Sequence, residues 1–336
     1  MTSLIPLWRQ LQATAEVLLE VQGGRSMTQV LDRVERPLRP GVQALAFQVM
    51  RNLGRAQALR RALARRAPPA AVDALLCSAL ALIATDEAAP YEAFTLVDQA
   101  VEAAKRHGST RAGADFVNAC LRRFLRERDR LIAATASDPV ARWNHPAWWI
   151  KRLQVDHPQH WEAILRASNA QAPMGLRVNV RRTTMDHFMD LLEAAGLAGT
   201  RQGESAVVLE RALPVHQIPG FEEGWVSVQD PGAQLAAPLL LHGLASPGSA
   251  HVLDACAAPG GKTAHLLEAG AGQVTALDID PQRCERINAN LVRLGLSAEV
   301  VAADAGEPAT WRNGAPFDAI LLDAPCTASG IVRRHP

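Results

Sequence analysis

The sequence has 336 residues, of which 48% are hydrophobic and 21% are charged, and its formal net charge is +1. This length and apolar content predict two or three globular domains and exclude intrinsic disorder as the main state. No apolar stretch reaches the roughly 18 residues that cross a bilayer. Residues 1–9 lack the features of a signal peptide, so we expect a cytoplasmic protein without a membrane span.

The near-neutral net charge conceals an uneven distribution. Residues 1–140 carry an excess of Arg and Lys, whereas residues 141–336 carry an excess of Asp and Glu. The two parts are therefore expected to have different roles. The five cysteines are widely spaced and never form a C-x-x-C pair, so the sequence favours neither a disulfide framework nor a metal site.

Residues 1–140 are predicted to form an all-α domain of about six helices, because apolar residues recur there at helical spacing. Gly and Pro residues that would separate the helices occur at 23–24, 37–41, 68–69, 90 and 108. Two arginine clusters stand out, at positions 51, 55, 60, 61, 65 and 66 and at positions 122, 123, 126, 128 and 130. A solvated helix face would explain either cluster alone, but two clusters in one basic domain favour a nucleic-acid-binding surface.

Residues 141–235 are predicted to form a small α+β connector, with strand-like runs at 175–180 and 206–209. Residues 236–336 then alternate short β-rich runs with helices. Strands are predicted at 251–256, 273–280, 298–304 and 319–323, with helices from about Gly261 and from Pro281. This repeated strand-helix-strand order is typical of a parallel, doubly wound, Rossmann-like α/β sheet.

The run D-A-C-A-A-P-G-G-K-T at 254–263 reads as a buried strand that breaks into a Gly-rich turn and opens a helix. Ligands of open parallel sheets bind at such turns. A P-loop would need glycine five positions before Gly261, where Cys256 stands, and the dinucleotide fingerprint G-x-G-x-x-G is also absent. A purely structural turn is the remaining alternative.

The spacing of acidic residues favours a ligand site over a structural turn. Asp278 ends the second predicted strand 18 residues after Gly260, near the offset of about 20 at which an acidic side chain meets ribose hydroxyls. Asp304 and Asp323 end the third and fourth strands. Together these residues predict a nucleoside-binding crevice without a polyphosphate cradle, which suits S-adenosylmethionine better than ATP or NAD.

Cys326 follows Asp323 in the run D-A-P-C. A methyltransferase that acts on an exocyclic amine is expected to carry an aromatic residue after the proline. Carbon 5 of cytosine, by contrast, becomes nucleophilic only after a thiolate adds to carbon 6, so a cysteine here favours covalent catalysis. A small buried structural cysteine is the alternative for Cys326, and it is the expected role of Cys77, Cys120 and Cys284.

In these motifs the sequence resembles the RNA (cytosine-5) methyltransferases of the NOL1/NOP2/Sun type, and within them the bacterial branch that acts on 16S rRNA. Its N-terminal helices resemble the NusB-like RNA-binding domain of that branch. The resemblance covers the whole chain and is carried by P-Y-E-A-F-T-L-V-D-Q-A-V at 90–101, F-V-N-A-C-L-R-R-F at 116–124, V-Q-D-P-G-A-Q at 228–234, D-A-C-A-A-P-G-G-K-T at 254–263, L-D-I-D at 277–280, A-D at 303–304 and L-L-D-A-P-C-T-A-S-G at 321–330.

The resemblance implies roles for individual residues. Asp278 would contact the ribose of S-adenosylmethionine, Asp304 the region of its adenine, and Asp323 the zone between cofactor and base. Cys326 would assist release of the product. Contacts to the methionine part of the cofactor would come from Cys256, Ala257, Ala258, Pro259, Gly260, Gly261 and Lys262.

The family's attacking cysteine lies in a later T-C-S-like motif, and no such motif occurs in residues 1–336. The family sheet has seven strands, of which four are predicted here. We therefore expect the sequence to be truncated at its C-terminus and inactive in methyl transfer as it stands.

The resemblance implies 16S rRNA as the partner, with no role for DNA or a membrane, and we expect a monomer. Two other functions stay open at this point. A DNA carbon-5 methyltransferase would use its proline-cysteine motif for the attack and would not need a NusB-like domain. A non-catalytic RNA-binding or ribosome-assembly factor would bind RNA without affinity for S-adenosylmethionine.

Overall fold

The computed structural model describes residues 5–85, 91–312, 314 and 316–326. The chain divides into two compact units, the first ending at Ala170 and the second beginning at Gln171. The connector predicted over 141–235 is thus shared between them. Pro90, predicted as a helix break, and residues 327–330 of the last motif lie outside the described residues.

The described part of the first unit is helical throughout, as predicted. Its helices are α1 (Leu7–Gln22), α2 (Met27–Arg33), α3 (Arg39–Leu63), α4 (Ala70–Ile83), α5 (Ala93–Arg106), α6 (Ala114–Arg126), α7 (Arg128–Thr135), α8 (Pro139–Trp143), α9 (Ala147–Asp156) and α10 (Trp161–Asn169). Helix α4 forms the centre of the bundle, because every residue from Ala74 to Ile83 is buried. No helix among the described residues is both long and apolar enough to cross a membrane.

The predicted break at 37–41 is wrong in one respect, because helix α3 already begins at Arg39. Pro40 and Gly41 lie in its first turn. Backbone N–H groups of a first turn have no partner within the helix, so Pro loses nothing at this position. A Cβ at Gly41 would lie 2.0 Å from Oε1 of Gln10 on α1, so a larger residue there would displace the end of that side chain.

The second unit contains two four-stranded sheets. Its strands are β1 (Met174–Val178), β2 (Gly199–Gln202), β3 (Ala206–Leu209), β4 (Val226–Val228), β5 (His251–Ala255), β6 (Gln273–Asp278), β7 (Glu299–Ala302) and β8 (Ala319–Leu322). Its helices are α11 (Met185–Ala194), α12 (Ala236–His242), α13 (Gly261–Glu268), α14 (Pro281–Leu294) and α15 (Pro308–Trp311).

The larger sheet is parallel and has the order β7-β6-β5-β8. The four strands predicted from the sequence are all present, and α13 and α14 begin at the predicted residues. Ala255 of β5 is in register with Leu277 of β6 and Leu322 of β8. The carboxyl ends of three strands therefore meet at one edge, which is where the predicted site residues lie.

The smaller sheet is antiparallel and has the order β2-β3-β1-β4. Alternate residues of β1 and β3, among them Leu176, Val207 and Leu209, pack with Phe188 and Leu192 of α11 in a separate apolar core. This arrangement confirms the strand-like runs predicted at 175–180 and 206–209.

A buried ion pair joins the smaller sheet to helix α13. Arg177 of β1 donates from Nε and Nη2 to the two carboxylate oxygens of Glu268, each at 2.8 Å. Its Nη1 donates to the carbonyl oxygen of Gly261 at 2.9 Å and to the side chain of Gln229. The side chains of Arg177 and Glu268 are 0% and 2% exposed. One side chain thus fixes both ends of α13 against β1.

Replacement of Glu268 by Ala is expected to lower the free energy of unfolding by about 3–5 kcal/mol, because it leaves the Arg177 guanidinium buried without its counter-charge. Urea denaturation measures this loss. Asp186→Ala, which removes the exposed partner of Arg201, is the matched control and should change stability by about 1 kcal/mol or less. Equal losses in the two variants would contradict the assignment.

Candidate functional site

The turn between β5 and α13 has a backbone that few residues can adopt. Cys256 has a φ of 61° and Gly260 a φ of 92°, both in the left-handed region. A Cβ on Gly260 would also lie only 3.1–3.2 Å from atoms of Ile287 on α14. Glycine is therefore required at 260, whereas Cys256 holds a conformation that costs about 1 kcal/mol for an L-residue.

Hydrogen bonds fasten this turn to the end of the neighbouring strand β6. Ala257 N–H donates to the Leu277 carbonyl at 2.8 Å, and Ala258 N–H donates to Oδ2 of Asp278 at 3.1 Å. Arg283 of α14 donates to the Ala258 carbonyl at 3.1 Å. The turn is thus held from both sides, and its position depends on the Asp278 carboxylate.

Asp278 is 2% exposed, and both of its carboxylate oxygens have protein partners. Besides Ala258 it accepts from the Asp280 N–H at 3.2 Å and forms an ion pair with Arg283 at 3.2 Å. Arg283 is the half-exposed member of this pair, with 43% of its side chain accessible. The structure therefore places Asp278 at the turn, as predicted, but under it rather than in open solvent.

Lys262 connects the turn to the fourth strand. Its Nζ forms an ion pair with Oδ2 of Asp323, which directly follows β8. The Asp323 side chain is 61% exposed and that of Lys262 22% exposed. The turn, Asp278 and Asp323 are therefore brought together.

Asp304 and Cys326 are placed less closely. Asp304 follows β7, is exposed, and accepts the Gly306 N–H at 2.8 Å, so its carboxylate caps its own loop. Among the described contacts its side chain makes none with the turn. Cys326 lies four residues beyond the end of β8 and is exposed.

Asp254, which lies in β5 beneath the turn, was not predicted from the sequence as a site residue. It is 1% exposed and accepts from the Thr263 hydroxyl at 2.6 Å through Oδ2, whereas Oδ1 has no hydrogen-bond partner among the described residues. Burial raises the pKa of Asp254 to about 6, partly offset by the Thr263 hydrogen bond and the charge of Lys262. A carboxylate within an otherwise apolar strand was the available signal.

His265 of α13 was also missed. It is 6% exposed, and burial together with the charge of Arg177 lowers its pKa to about 3. His265 is therefore neutral in the folded protein over the physiological range.

The cysteines, all within the described residues, form no disulfide. Burial raises the pKa of the Cys256 thiol, and the negative charge of Asp278 raises it further. Burial likewise raises the pKa of Cys77 to about 12 and that of Cys120 and Cys284. These four are protonated thiols rather than reactive thiolates, in agreement with the structural role expected for the last three.

The charges at this edge are mainly negative. Asp254, Asp278 and Asp323 lie near the turn, opposed by Lys262 and Arg283. No group of three His, Cys, Asp or Glu side chains that could hold a metal ion is found in the described part of the chain. The three carboxylates outnumber the two cations by one, and Asp278 and Asp323 are each ion-paired.

Comparison with known families divides the chain into three matches. Residues 9–126 match the NusB family, and residues 145–216 match the ferredoxin-like domain described as RsmF/B-like. Residues 242–336, which include the turn and all four strand-end positions, match the family described as 16S rRNA methyltransferase RsmB/F.

Three curated proteins named ribosomal RNA small subunit methyltransferase B are similar to the chain. The protein of Vibrio cholerae is 40% identical over 334 residues, covering 96% of this chain and 75% of its own length. That of Escherichia coli O6:H1 is 39% identical, covering 98% and 77%. That of Pseudomonas putida is 50% identical over 224 residues, covering 66% and 50%.

Two solved structures resemble this fold. The structure of PH0851 aligns with a TM-score of 0.73 at 21% identity, covering 99% of this chain and 77% of that one. A methyltransferase homologue from Pyrococcus horikoshii aligns with a TM-score of 0.51 at 27% identity, covering 58% and 64%. The first likeness extends the shared fold over nearly the whole chain.

Replacement of Asp254 by Asn is expected to change the pH dependence of stability. The folded wild type binds the Asp254 proton more tightly than the unfolded chain, so it loses stability relative to the variant as the pH rises from about 4 to about 6. The difference in free energy of unfolding should grow by on the order of 3 kcal/mol across this range and then level off.

Urea denaturation at a series of pH values measures this difference. His265 has the opposite effect, because its lowered pKa makes the folded state gain stability as the pH rises from about 3 to 6.5. It is present in both proteins, so its contribution cancels. A difference that does not vary between pH 4 and 6 would show that Asp254 titrates normally.

Proposed function

The chain belongs to the RsmB/F family of 16S rRNA methyltransferases, and on this premise we propose that it transfers the methyl group of S-adenosylmethionine to carbon 5 of a cytosine in small-subunit rRNA. The observation that carries the proposal is the turn at 256–261, fixed at the carboxyl ends of parallel strands beside Asp278 and Asp323. Open α/β sheets bind their ligands at this place.

The residues at this edge fit S-adenosylmethionine. The cofactor carries a sulfonium, an ammonium and a carboxylate group, and the edge offers carboxylates together with Lys262 and Arg283. Asp254 Oδ1 is a buried acceptor without a partner among the described residues. A Cβ built on Gly261 would make only an ordinary contact, at 3.9 Å from the side-chain nitrogen of Gln229.

We assign the cofactor contacts as the resemblance implies. Residues 256–262 would hold the methionine part, Asp278 the ribose, Asp304 the region of the adenine, and Asp323 the zone between cofactor and base. For Asp278 to accept ribose hydroxyls, its ion pair with Arg283 has to loosen, and the exposure of Arg283 permits this. The Ala258 N–H can keep its bond to the other oxygen.

The bound cofactor supplies an electrophilic methyl group. No residue of 1–336 is assigned as the attacking thiolate, and the roles proposed for the described side chains are orientation of the base and release of the product. Lys262, fixed by Asp323, can orient a base that enters beside the turn. Cys326 lies on the segment that leaves β8, and its proposed role is to assist product release. Cys256 is not proposed as a nucleophile, because burial and Asp278 keep its thiol protonated.

The first unit is proposed to bind the rRNA. Its match to the NusB family and its excess of basic residues support this role. Electrostatic contacts to phosphates would supply affinity and orientation, whereas recognition of the target base belongs to the second unit. The target cytosine has to be unstacked to enter a site at the sheet edge.

Replacement of Asp278 by Ala is expected to weaken binding of S-adenosylhomocysteine at least about tenfold, because it removes the ribose acceptor and one anchor of the turn. Titration calorimetry with residues 1–336 measures the affinity, and thermal unfolding checks that the variant folds. Glu285→Gln is the control, because it removes the charge of an exposed residue of α14, and it should bind as the wild type does. Unchanged affinity in Asp278→Ala would contradict the ribose assignment.

If the wild type binds RNA but not S-adenosylhomocysteine, the proposed function is wrong. That result would instead favour a non-catalytic RNA-binding factor.

A further inference from the structure

The arginine clusters of the first unit are largely engaged within the protein. Several of their guanidinium groups donate to carbonyls at helix ends, and others form ion pairs. The carbonyl contacts are Arg55 to Ala84, Arg123 to Leu63 and Arg128 to Ile83, and the ion pairs are Arg60 with Asp73, Arg61 with Asp138 and Arg130 with Glu127. Much of the density of arginine in the sequence therefore stabilises the bundle.

A different basic feature lies where α3 meets α7, α8 and α10. Three adjoining cavities of about 220, 220 and 380 Å³ share Arg142 as a lining residue. Arg55 lines two of them, and Asn169 another two. The three cavities adjoin one another through these shared lining residues and are here together called the Arg142 groove.

The charged residues in the described lining of the Arg142 groove are arginines. Four arginines, Arg51, Arg55, Arg142 and Arg166, line it, and no Asp or Glu is among its described lining residues. The guanidinium carbons of Arg142 and Arg166 lie 4.8 and 5.3 Å from the ring centre of Trp143. Arg166 also forms an ion pair with Glu162 at 2.9 Å. For Arg142 the ring contact is not accompanied by a carboxylate among the described contacts.

Asparagine hydrogen bonds set the shape of the groove. Asn144 accepts from the Gly54 N–H at 2.7 Å and donates to the Met50 carbonyl at 2.8 Å and to Asn169 at 2.9 Å. Asn169 donates in turn to the Arg51 carbonyl at 3.0 Å. A Cβ on Gly54 would lie 2.3 Å from the Val140 carbonyl, so the backbones of α3 and α8 are in close contact at this point. The protein's own hydrogen bonds thus form the groove.

We propose that the Arg142 groove binds the phosphodiester backbone of a single-stranded segment of the RNA substrate, an inference that rests on the proposed rRNA methyltransferase function. Arginine binds phosphate oxygens through two parallel N–H donors, and a charged groove of this kind follows a backbone without reading sequence. Arg142, which lies outside both sequence clusters, is its central residue.

The test measures binding of residues 1–336 to a fluorescently labelled single-stranded RNA of about 16 nucleotides by anisotropy at a series of salt concentrations. Arg142→Ala should weaken binding about fivefold or more and reduce the slope of log K against log salt by about 0.7, the value for one lost phosphate contact on a single strand. Arg142→Lys keeps the charge and should restore most of the salt slope.

Arg152→Ala is the matched control, because Arg152 is an exposed arginine of α9 paired with Asp156 and does not line the groove. It should bind RNA as the wild type does. Affinity and salt slope unchanged in Arg142→Ala, or lost equally in Arg152→Ala, would overturn the proposal.

Affinity for S-adenosylhomocysteine, measured on the same variants, separates the two proposals. Thermal unfolding of Arg142→Ala checks that the first unit, which carries the substitution, is folded. Retained cofactor affinity then shows that any loss belongs to RNA binding. If the wild type binds no RNA, the proposed function itself is contradicted. If the wild type binds RNA and Arg142→Ala binds it equally well, only the proposal for the groove is contradicted.

Discussion

The geometry of the candidate site depends on one buried charge. Arg177 belongs to the small antiparallel sheet, yet its guanidinium holds Glu268 at one end of α13 and the Gly261 carbonyl at the other. A buried ion pair gains little over an apolar contact, but loss of one partner is strongly unfavourable. The pair therefore restricts how α13 packs against β1. The favourable position is the one in which Arg177 contacts both Glu268 and the Gly261 carbonyl. Because Gly261 is part of the turn, its hydrogen bond to Arg177 fixes the turn relative to the smaller sheet.

The elements of the fold were predictable wherever a local pattern determines them. The four parallel strands follow from short apolar runs. The starts of α13 and α14 follow from Gly260 and Pro281, whose effect on the backbone does not depend on distant residues. The prediction for Pro40 was wrong because its role depends on whether the first turn of a helix has begun, which the residue itself does not specify. The close neighbour of Gly41 is Gln10, 31 positions earlier in the chain, which no local pattern indicates.

The site was predictable in outline but not in its charges. Strand ends are determined locally, so the sequence alone sufficed to place the turn, Asp278 and Asp323 at one edge. Arg177 could not be placed in this way, because its partner Glu268 lies on another element and only burial gives the pair its importance. For Asp254 the one signal was its position in an otherwise apolar strand. Nearby carbonyls and carboxylates engage several arginines of the two clusters, whereas Arg51 and Arg55 of the first cluster line the Arg142 groove. Arg142 is isolated in the sequence, so clustering could not have singled it out.

The asparagine contacts of the first unit also define where this part of the chain can be separated for study. The NusB match ends at residue 126, but Asn144 and Asn169 bond to the backbone of α3, and Trp143 packs with Trp161 at a ring distance of 5.2 Å. A recombinant fragment that stopped at 126 would expose the face of α3 that these residues cover. The boundary for expressing the described helical part of this protein therefore lies at Ala170, some forty residues beyond the family match.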